Sequence, residues 1–329
     1  MSKQANDQDH KFHYSHEDMV KQSKMLANRV LKNYRHLRSR FRKQNIDVYR
    51  LYYWDIPEIR AVVDWYQGHL VIAEYVRRQT EHLPWLETMA AAVGEALQIP
   101  SEKIHLKQRR TRPKDGERYQ RLQQLDERMT VNERDLRFLV NLNDFIDTGL
   151  FADHRQTRQM VRQESAGKDF LNLFAYTGSF TCYAAAGGAK STTSIDTSQQ
   201  YLQWAEDNLR LNDLFETGHH QMLAQDVIQF LQESIRQKKF WDLIVIDPPS
   251  FSKRPDSEVF DVQEDHPYLL GLALNVLAPN GRIYFSTNHQ RFEPDFVDLS
   301  CRQISEITKQ TIPEDYRQRQ PHRCFILEN

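Results

Sequence analysis

The sequence predicts an α/β protein whose C-terminal half forms a parallel sheet with helices on both faces. Helical patterns such as SQQYLQWAEDNLRLN and DVIQFLQESIRQ separate most of the strand-like apolar runs of this half. Such alternation implies right-handed crossovers between parallel strands. Residues 47–148 lack this rhythm and predict a smaller α+β domain, which places a domain boundary near 148–149. The predicted strands are 170–174, 191–195, 219–224, 242–246, 282–286 and 322–327.

The first 46 residues contain a predicted helix, residues 19–45, with an unusual charge pattern. Leu26, Val30, Tyr34, Leu37 and Phe41 follow helical spacing and form one apolar stripe. Nine Lys and Arg residues share this segment, and no acid occurs between Asp18 and Asp47. Like charges without partners repel each other unless a polyanion neutralises them. We therefore interpret the helix as an RNA contact, with a solvated face as the alternative. The RNA-binding candidates are Arg35, Arg38, Arg42 and Lys43.

The segment 47–148 reads as β-rich stretches around one helix. VYRLYYWDIP and AVVDWYQGHLVIAEYV favour strands, and LPWLETMAAAVGEALQI favours an amphipathic helix. KIHLKQRRTRPKDGERYQRL then predicts a strand, a basic turn and a returning strand. Arg109, Arg110 and Arg112 in this turn form a second RNA-binding candidate, although basic hairpin tips are common without a partner. Residues 1–150 hold 26 Lys and Arg against 21 Asp and Glu, an excess that also fits a polyanionic partner.

The length and composition of the chain limit which classes of protein it can belong to. The chain has 329 residues, long enough for two or three domains with a sizeable core. No run of 18 apolar residues predicts a membrane span, and the polar N-terminus lacks an apolar signal core. Cys182, Cys301 and Cys324 are odd in number and far apart, so neither a disulfide framework nor a metal site is expected. These features favour a reducing, cytoplasmic location.

Ligands of open α/β sheets bind beyond the carboxyl ends of the strands, so the residues after each strand are the site candidates. The first strand leads into FAYTGSF, where Gly178 could let the backbone approach a ligand closely. This turn matches neither G-x-G-x-x-G nor G-x-x-x-x-G-K-[ST]. Asp196 ends the second strand, where a carboxylate can accept hydrogen bonds from both ribose hydroxyls of a nucleoside. Asp226 follows the third strand and is either an adenine contact or only a helix N-cap.

The fourth strand ends in Asp-Pro-Pro-Ser-Phe, residues 247–251. The two prolines remove two backbone donors and stiffen the chain just beyond a buried strand. This is an unusual way to leave a sheet unless the rigid carbonyls and the aromatic ring that follows are used. Asp247, Pro248, Pro249 and Phe251 are therefore candidate catalytic residues.

The order of glycine loop, acid, acid and D-P-P-S-F resembles an S-adenosylmethionine-dependent methyltransferase. VNLNDFIDTGLFADHRQTR, FLNLFAYTGSFT, AEDNLRLN and DLIVIDPPSFSK narrow the resemblance to bacterial 23S rRNA large-subunit methyltransferases, over roughly residues 45–327. The resemblance implies a seven-stranded, Rossmann-like class I methyltransferase domain at 149–329, with S-adenosylmethionine as cofactor. It also implies 23S rRNA or a large-subunit precursor as partner.

The resemblance assigns roles to individual residues. Arg155, or nearly as well Arg158, would pair with the methionine carboxylate of the cofactor. Asp247 and the carbonyls of Pro248 and Pro249 would orient a target purine, on which Phe251 would stack. The cofactor-binding set also includes Asn172, Phe174, Tyr176, Thr177, Gly178, Asp196, Asp226 and Asp247.

The family that the sequence resembles has a cytosine-C5 branch and a guanine-N7 branch. Cytosine-C5 methylation needs a cysteine nucleophile, and in that branch the cysteine follows the serine after the fifth strand. Here Thr287 occupies that position, and FSTNHQRF and TIPEDYRQRQPHRCFIL resemble the guanine-N7 branch. That branch is usually the C-terminal half of a bifunctional protein with two methyltransferases. The preceding methyltransferase half is absent from this sequence, so we expect a stand-alone chain. The alternatives are methylation of cytosine C5 or an exocyclic amine, or a ribosome-assembly factor without activity. The modified nucleotide and the oligomeric state are left open.

Overall fold

A computed structural model describes residues 14–109, 122–253 and 259–329 of the chain. Packing of the backbone divides it into two compact units. One consists of the described residues of Met1–Arg38 and Leu51–Arg112, and the other of those of Ser39–Arg50 and Pro113–Asn329. Among the described helices, none is long and apolar enough to cross a lipid bilayer.

The first unit has the α+β content that the sequence predicts. The predicted apolar stripe of helix α1 is confirmed, because Leu26, Val30 and Leu37 are buried. The sheet has the order β1-β2-β3-β4, in which β2 and β3 form an antiparallel hairpin and β3 and β4 run parallel. The returning strand predicted after β4 lies outside the described residues. The elements are α1 (His16–Lys43), β1 (Val48–Tyr53), β2 (Ala61–Tyr66), β3 (His69–Tyr75), α2 (Trp85–Leu97) and β4 (Ile104–Arg109). Helix α1 and strand β1 each cross the limit between the units.

The second unit begins earlier in the sequence than the predicted boundary near 148–149. It includes the antiparallel hairpin of β5 (Met129–Glu133) and β6 (Leu136–Val140). This hairpin is bonded to a later helix, since Leu139 N–H donates to Asn208 Oδ1 at 2.9 Å and Trp204 Nε1 donates to the Leu139 carbonyl at 3.1 Å. Such non-local bonds leave no trace in the local sequence pattern from which the boundary was predicted.

The remaining elements of the second unit alternate as predicted, with two additions. The additions are the two-stranded β11–β12 pair and the edge strand β14. The elements are α3 (Arg155–Glu164), β7 (Asp169–Leu173), α4 (Ser179–Ala186), β8 (Ser191–Asp196), α5 (Gln199–Leu211), β9 (His220–Ala224), α6 (Val227–Arg236), β10 (Trp241–Ile246), β11 (Phe251–Lys253), β12 (Val259–Asp261), α7 (Val262–Asn275), β13 (Leu277–Thr287), β14 (Gln303–Glu306), α8 (Thr308–Thr311) and β15 (Arg323–Glu328).

The main sheet has seven strands in the order β14-β15-β13-β10-β7-β8-β9. The five strands from β13 to β9 are parallel, as predicted. The other edge departs from the parallel arrangement, because β15 runs antiparallel to β13 and β14 runs antiparallel to β15. Between β14 and β15 the chain forms only the four-residue helix α8 and a three-residue 3₁₀ helix, Glu314–Tyr316, so it lacks the long crossover helix that usually joins parallel strands.

Candidate active site

The main sheet reverses its strand order at β7. From β7 the chain adds β8 and β9 on one side and then returns to add β10 on the other. Such a switch point opens a crevice beyond the carboxyl ends of the strands. Leu173 and Ile246 are register partners at the ends of β7 and β10, so the segments that follow them, 174–178 and 247–251, begin side by side.

The turn after β7 has a constrained backbone. Phe174 and Tyr176 have φ of 58° and 50°, in the left-handed region that costs a residue with a Cβ about 1 kcal/mol or more. The packing around the turn compensates this cost: the Tyr176 ring contacts Tyr201 edge-on at 4.6 Å, and the Phe174 ring lies 5.7 Å from that of Phe260. A backbone held in this way presents a fixed surface at the switch point.

Asp196 lies beside this turn, at the end of β8. Its Oδ2 accepts the Tyr176 N–H and its Oδ1 accepts the Ser198 N–H, both at 2.9 Å. Burial raises the pKa of Asp196, while these backbone hydrogen bonds act to lower it. A carboxylate has about four acceptor sites, so two N–H donors fix its orientation and leave capacity for the hydroxyls of a ribose.

Packing against α5 is enough to explain Gly178, and the close approach of a ligand stays a prediction. It has φ +71°, and a Cβ added there would lie 2.5 Å from the Cβ of Ala205 on α5. The glycine therefore allows the start of α4 to lie against α5. Gly149 and Gly187 are explained in the same way, since an added Cβ would meet Trp204 at 2.5 Å and the Arg162 carbonyl at 2.2 Å.

Asn172 and Thr177 are almost fully buried, and their side chains stabilise the turn 174–178. Asn172 Nδ2 donates to Thr181 Oγ1 at 2.9 Å, and Thr177 Oγ1 donates to the Gly149 carbonyl at 2.6 Å. Asn208 Nδ2 donates to the Thr177 carbonyl at 2.9 Å. These contacts indicate that both side chains hold the turn in place, and they do not support direct cofactor contacts.

Arg155 and Arg158 are buried in ion pairs, which removes the support for either as the partner of a cofactor carboxylate. Arg155 is bonded to Asp315, with its Nη1 2.7 Å from Oδ1, and to the Val48 carbonyl at 2.7 Å. Arg158 Nη2 lies 2.7 Å from Glu133 Oε2, and its Nε lies 2.8 Å from Oε1. Burial acts to lower the pKa of each guanidinium, but the adjacent carboxylates have the larger, raising effect. The pKa of each therefore lies above its ordinary value, and both side chains remain charged.

Asp226 caps helix α6, as one of the two readings of the sequence predicts. Its Oδ1 accepts the Gln229 N–H at 3.1 Å, which satisfies one of the free donors at the helix N-terminus. The adenine contact stays a prediction. The position is compatible with it, because Gln225 N–H donates to the Asp196 carbonyl at 3.1 Å and so places Asp226 near the Asp196 segment.

The segment 247–251 is held at both ends by the neighbouring strand β13 and the residues after it. Ser286 Oγ donates to Asp247 Oδ1 at 2.6 Å, and Ser250 Oγ donates to Asn288 Oδ1 at 2.6 Å. The Phe251 ring is 49% exposed and faces the edge of His289 at a centroid distance of 6.2 Å. An exposed aromatic ring at the end of a rigid segment is suited to stacking on a base.

Ser286, Asn288 and His289 are site residues that the sequence analysis missed. They belong to the FSTNHQ stretch, which was used only to distinguish the two branches of the family. The signal was present, since the end of the fifth parallel strand lies beside the end of the fourth in this type of sheet. Thr287 has no exposed surface, and its Oγ1 accepts the His289 N–H at 3.2 Å.

Two of the three cysteines are fully buried, and Cys301 is partly buried. Cys182 in α4 and Cys324 in β15 have no exposed surface, and burial raises the pKa of both thiols. Burial also raises the pKa of Cys301. A thiol with a raised pKa stays protonated at neutral pH and is a poor nucleophile.

Helix α1 exposes its cations, including the four RNA-binding candidates Arg35, Arg38, Arg42 and Lys43. Arg38 lies over the Tyr34 ring at 5.5 Å, and within the described part of the chain the other three form no ion pair. Arg29 and Arg40 of α1 differ, because the partly buried Arg29 pairs with Asp55 and Arg40 pairs with Glu314. Arg109 ends β4 and is partly buried, whereas Arg110 and Arg112 lie outside the described residues.

The fold and the arrangement of the candidate site are those of a methyltransferase. Comparison with known protein families and structures supports this class. The family model of S-adenosylmethionine-dependent methyltransferases matches residues 50–309. The chain resembles the crystal structure of SMU.776 complexed with SAH, with a TM-score of 0.75 and 24% identity over 94% of this chain and 82% of that one. At this identity the likeness shows the shared fold.

Two curated relatives of known name indicate which methyltransferases this chain is similar to in sequence. Ribosomal RNA large subunit methyltransferase K of Neisseria meningitidis serogroup B is 40% identical and is matched over 92% of this chain and 86% of its own length. Ribosomal RNA large subunit methyltransferase K/L of Aeromonas hydrophila is 43% identical, but the chain spans only 42% of its length. The chain therefore belongs to the S-adenosylmethionine-dependent methyltransferase family, among the ribosomal RNA large subunit methyltransferases K. It is an enzyme, and its cofactor is S-adenosylmethionine.

The donor set at the switch point fits this cofactor. Asp196 offers fixed carboxylate oxygens for ribose hydroxyls, and the backbone of 174–178 lies beside it. Bound there, S-adenosylmethionine supplies an electrophilic methyl group. Of the residues predicted to bind it, Phe174, Tyr176, Gly178, Asp196, Asp226 and Asp247 remain candidates, while Arg155, Asn172 and Thr177 have structural contacts instead.

Proposed function

We propose that this enzyme methylates guanine N7 in 23S rRNA, with the target base held by the segment 247–251. The observation that carries the proposal is that no cysteine occurs among the site residues that the structure describes. Thr287 occupies the position expected for a catalytic cysteine, and burial raises the pKa of all three cysteines. Guanine N7 has a lone pair and needs no covalent activation, so alignment with the methyl group supplies most of the catalysis.

The chemistry of the segment 247–251 also supports a guanine. Asp247 offers carboxylate oxygens, and Pro248 and Pro249 offer carbonyls but no N–H groups. The Watson–Crick edge of guanine carries N–H donors at N1 and N2, so an acceptor-rich segment complements it. Phe251 would stack on the ring. In duplex RNA the N7 edge lies in a deep, narrow groove, so we expect the target base to be unpaired or flipped out.

The exposed cations of α1 support an RNA substrate. Arg35, Arg38 and Arg42 are three and four residues apart, so they share one face of the helix. Phosphates would neutralise the charges that the described residues leave without acidic partners. This assigns the recognition of the RNA backbone to α1 and the recognition of the base to the segment 247–251.

Mapping of modified nucleosides tests the proposal. Purified enzyme, S-adenosylmethionine and 23S rRNA from cells that lack the enzyme should give 7-methylguanosine at one position, detected by mass spectrometry of RNA fragments. 5-Methylcytidine or a base methylated on an exocyclic amine would overturn the guanine-N7 assignment. The Asp247→Ala variant should lower kcat by about 100-fold, because preorganised polar groups at a reacting centre contribute on this scale. An unchanged kcat would remove Asp247 from the site.

A further inference from the structure

His154 lies in the DHRQTR stretch whose arginines were expected to reach the cofactor, and it is the residue of that stretch that reaches the site. Its Nε2 lies 3.5 Å from Asp247 Oδ2 and 3.8 Å from Asp153 Oδ2. The side chain is buried, at 4% exposure for the residue. Asp247 is thereby approached on both oxygens, by Ser286 at Oδ1 and by His154 at Oδ2.

A second histidine fixes the orientation of the first. The rings of His154 and His322 stack with centroids 4.2 Å apart and planes 13° apart. His322 is anchored at both nitrogens, with Nδ1 3.1 Å from Asp153 Oδ2 and Nε2 3.0 Å from Thr311 Oγ1. The edge of Phe180 contacts His154 at 5.7 Å. The imidazole of His154 is therefore clamped between aromatic groups and cannot turn freely away from Asp247.

The proton on His154 can be assigned from its surroundings. Burial lowers the pKa of His154, against the raising effect of the nearby Asp247 carboxylate, so the neutral ring is favoured at neutral pH. Nδ1 is buried without a hydrogen-bond partner in the described part of the chain, whereas Nε2 faces two carboxylate oxygens. A neutral imidazole has one N–H, and it is stabilised most at Nε2, where acceptors are present.

Asp153, His154 and His322 also have the composition of a metal site, and their candidate ligand atoms lie within 4.8 Å of one another. The ring stacking argues against this role. A histidine nitrogen binds a metal along a lone pair in the plane of its ring, and two nearly parallel rings 4.2 Å apart cannot both direct such a lone pair at one ion. The hydrogen bonds of His322 to Asp153 and Thr311 explain the cluster without an ion.

We propose that His154 is a positioning residue for methyl transfer, whose Nε2–H holds the Asp247 carboxylate in the orientation that the target base requires. At 3.5 Å the contact is long for a hydrogen bond. Catalytic hydrogen bonds are often long before substrate binds and shorten in the loaded complex. The inference depends on the proposed role of Asp247. It goes beyond that role by placing the control of Asp247 in the short 3₁₀ helix Ala152–His154 before α3, far from the 247–251 segment in sequence.

Three substitutions of His154 separate positioning from packing. His154→Phe keeps a ring but no donor, and kcat should fall about 10- to 100-fold, as for the loss of one preorganised donor, with S-adenosylmethionine affinity within about threefold of the parent. A glutamine amide can reach the place of Nε2, whereas an asparagine amide reaches only that of Nδ1. His154→Gln should therefore recover kcat to within about fivefold of the parent, and His154→Asn should not. Equal activity of the two amide variants would overturn the inference, even if the Phe variant does not fold.

Matched controls come from His266, a histidine of the same unit without exposed surface. It contacts Phe285 and Phe292, and its Nε2 accepts the Asp295 N–H at 2.8 Å. His266→Phe and His266→Gln should lower thermal stability without the selective loss of kcat. If they lower kcat as His154→Phe does, the effect is general destabilisation and the inference fails.

A double-mutant cycle distinguishes this inference from the proposed function. If His154 acts through Asp247, adding His154→Phe to Asp247→Ala should lower kcat by no more than about threefold further, since coupled residues are not additive. Fully additive losses would contradict the inference while leaving the role of Asp247 intact. An Asp247→Ala variant with parental kcat would instead remove Asp247 from the site, and a product other than 7-methylguanosine would refute the proposed function itself.

Discussion

Tyr176 donates its backbone N–H to Asp196 at 2.9 Å across 20 residues of sequence, while its own backbone has φ of 50°. The turn after β7 and the Asp196 carboxylate therefore hold each other in a fixed orientation. A ribose that bonds to Asp196 would meet a carboxylate that is already oriented, so little ordering is needed on binding.

Asp196→Ala should weaken S-adenosylmethionine binding by about 10-fold or more, because a charge-assisted hydrogen bond contributes roughly 1.5–3 kcal/mol. Isothermal titration calorimetry measures the affinity. Glu206→Ala on α5 is the control, since Glu206 pairs with the exposed Arg210 of the next turn. Unchanged affinity of a folded Asp196→Ala protein would exclude Asp196 from the cofactor site.

Gly178→Ala should destabilise the fold, because it adds a Cβ 2.5 Å from that of Ala205 at φ +71°. Overpacking of this kind costs about 1–3 kcal/mol. Because Ala205→Gly in helix α5 itself costs about 1 kcal/mol, the cost of Gly178→Ala is compared in the parent and in the Ala205→Gly background by urea unfolding. It should be smaller in the Ala205→Gly background, where the Cβ that is met is absent. An equal cost in the two backgrounds would mean that the clash is not the reason for the glycine.

Glu133→Gln should lower the free energy of unfolding by about 3–5 kcal/mol, as for other buried pairs that lose one partner. Burial would raise the pKa of Glu133, but the Arg158 and Arg155 guanidiniums hold it below its ordinary value. The carboxylate therefore stabilises the fold fully above its unfolded pKa of about 4.3, and this contribution is lost as pH falls through the lower folded pKa.

Urea unfolding at a series of pH values below 5 checks this sign. The difference between the parent and Glu133→Gln should shrink as pH decreases, and a constant difference would contradict the assigned charge. Glu306→Gln is the control, because Glu306 pairs with Arg323 at the surface and such pairs contribute only about 0–1 kcal/mol.

Replacement of all three cysteines should leave methyl transfer within a few-fold of the parent rate. Cys182→Ala, Cys301→Ser and Cys324→Ala remove every thiol, and the guanine-N7 chemistry needs none. Single-turnover assays on 23S rRNA measure the rate, and circular dichroism reports folding. Loss of activity in a folded triple variant, or a covalent adduct with RNA, would favour the cytosine branch.

Replacement of Arg35, Arg38, Arg42 and Lys43 by Gln should weaken RNA binding and flatten its salt dependence. Each phosphate contact contributes about 0.7–0.9 to the slope of log K against log salt, so the slope should fall by up to about three units. Binding titrations at two salt concentrations measure this. A variant with Arg236, Lys238, Lys239 and Lys309 changed to Gln loses the same charge and is the control. If both variants weaken RNA binding and flatten its salt slope equally, RNA affinity depends on net charge alone and not on the position of the cations on α1.

Much of the fold could be predicted because its signal is local. The helical stripe of α1, the alternation from β7 to β13 and the acids at the ends of β8 and β10 each follow from residues close in sequence. β14 could not be predicted, since it has four residues, Gln303–Glu306, without an apolar run, and its pairing with β15 defines it.

Some of the predicted site residues have structural partners that the sequence did not reveal. Arg155 and Gly178 were assigned from the motifs that contain them, but their partners, Asp315 and Ala205, are distant in sequence. A pattern around an arginine does not reveal which carboxylate will neutralise it after folding. His154 was overlooked for the same reason, because its neighbours Asp247 and His322 come from two other strand ends.

The buried ion pairs also limit how this protein can be divided. A fragment that begins at residue 149 would retain Arg158 and Arg155 but lose Glu133, the Val48 carbonyl and the Phe41 ring that lies 5.2 Å from the Arg155 guanidinium. Two cations would then be left in an apolar interior with fewer acceptors than they need. The catalytic unit is therefore not a separable C-terminal piece, because residues from the end of α1, β1 and β5 complete its interior.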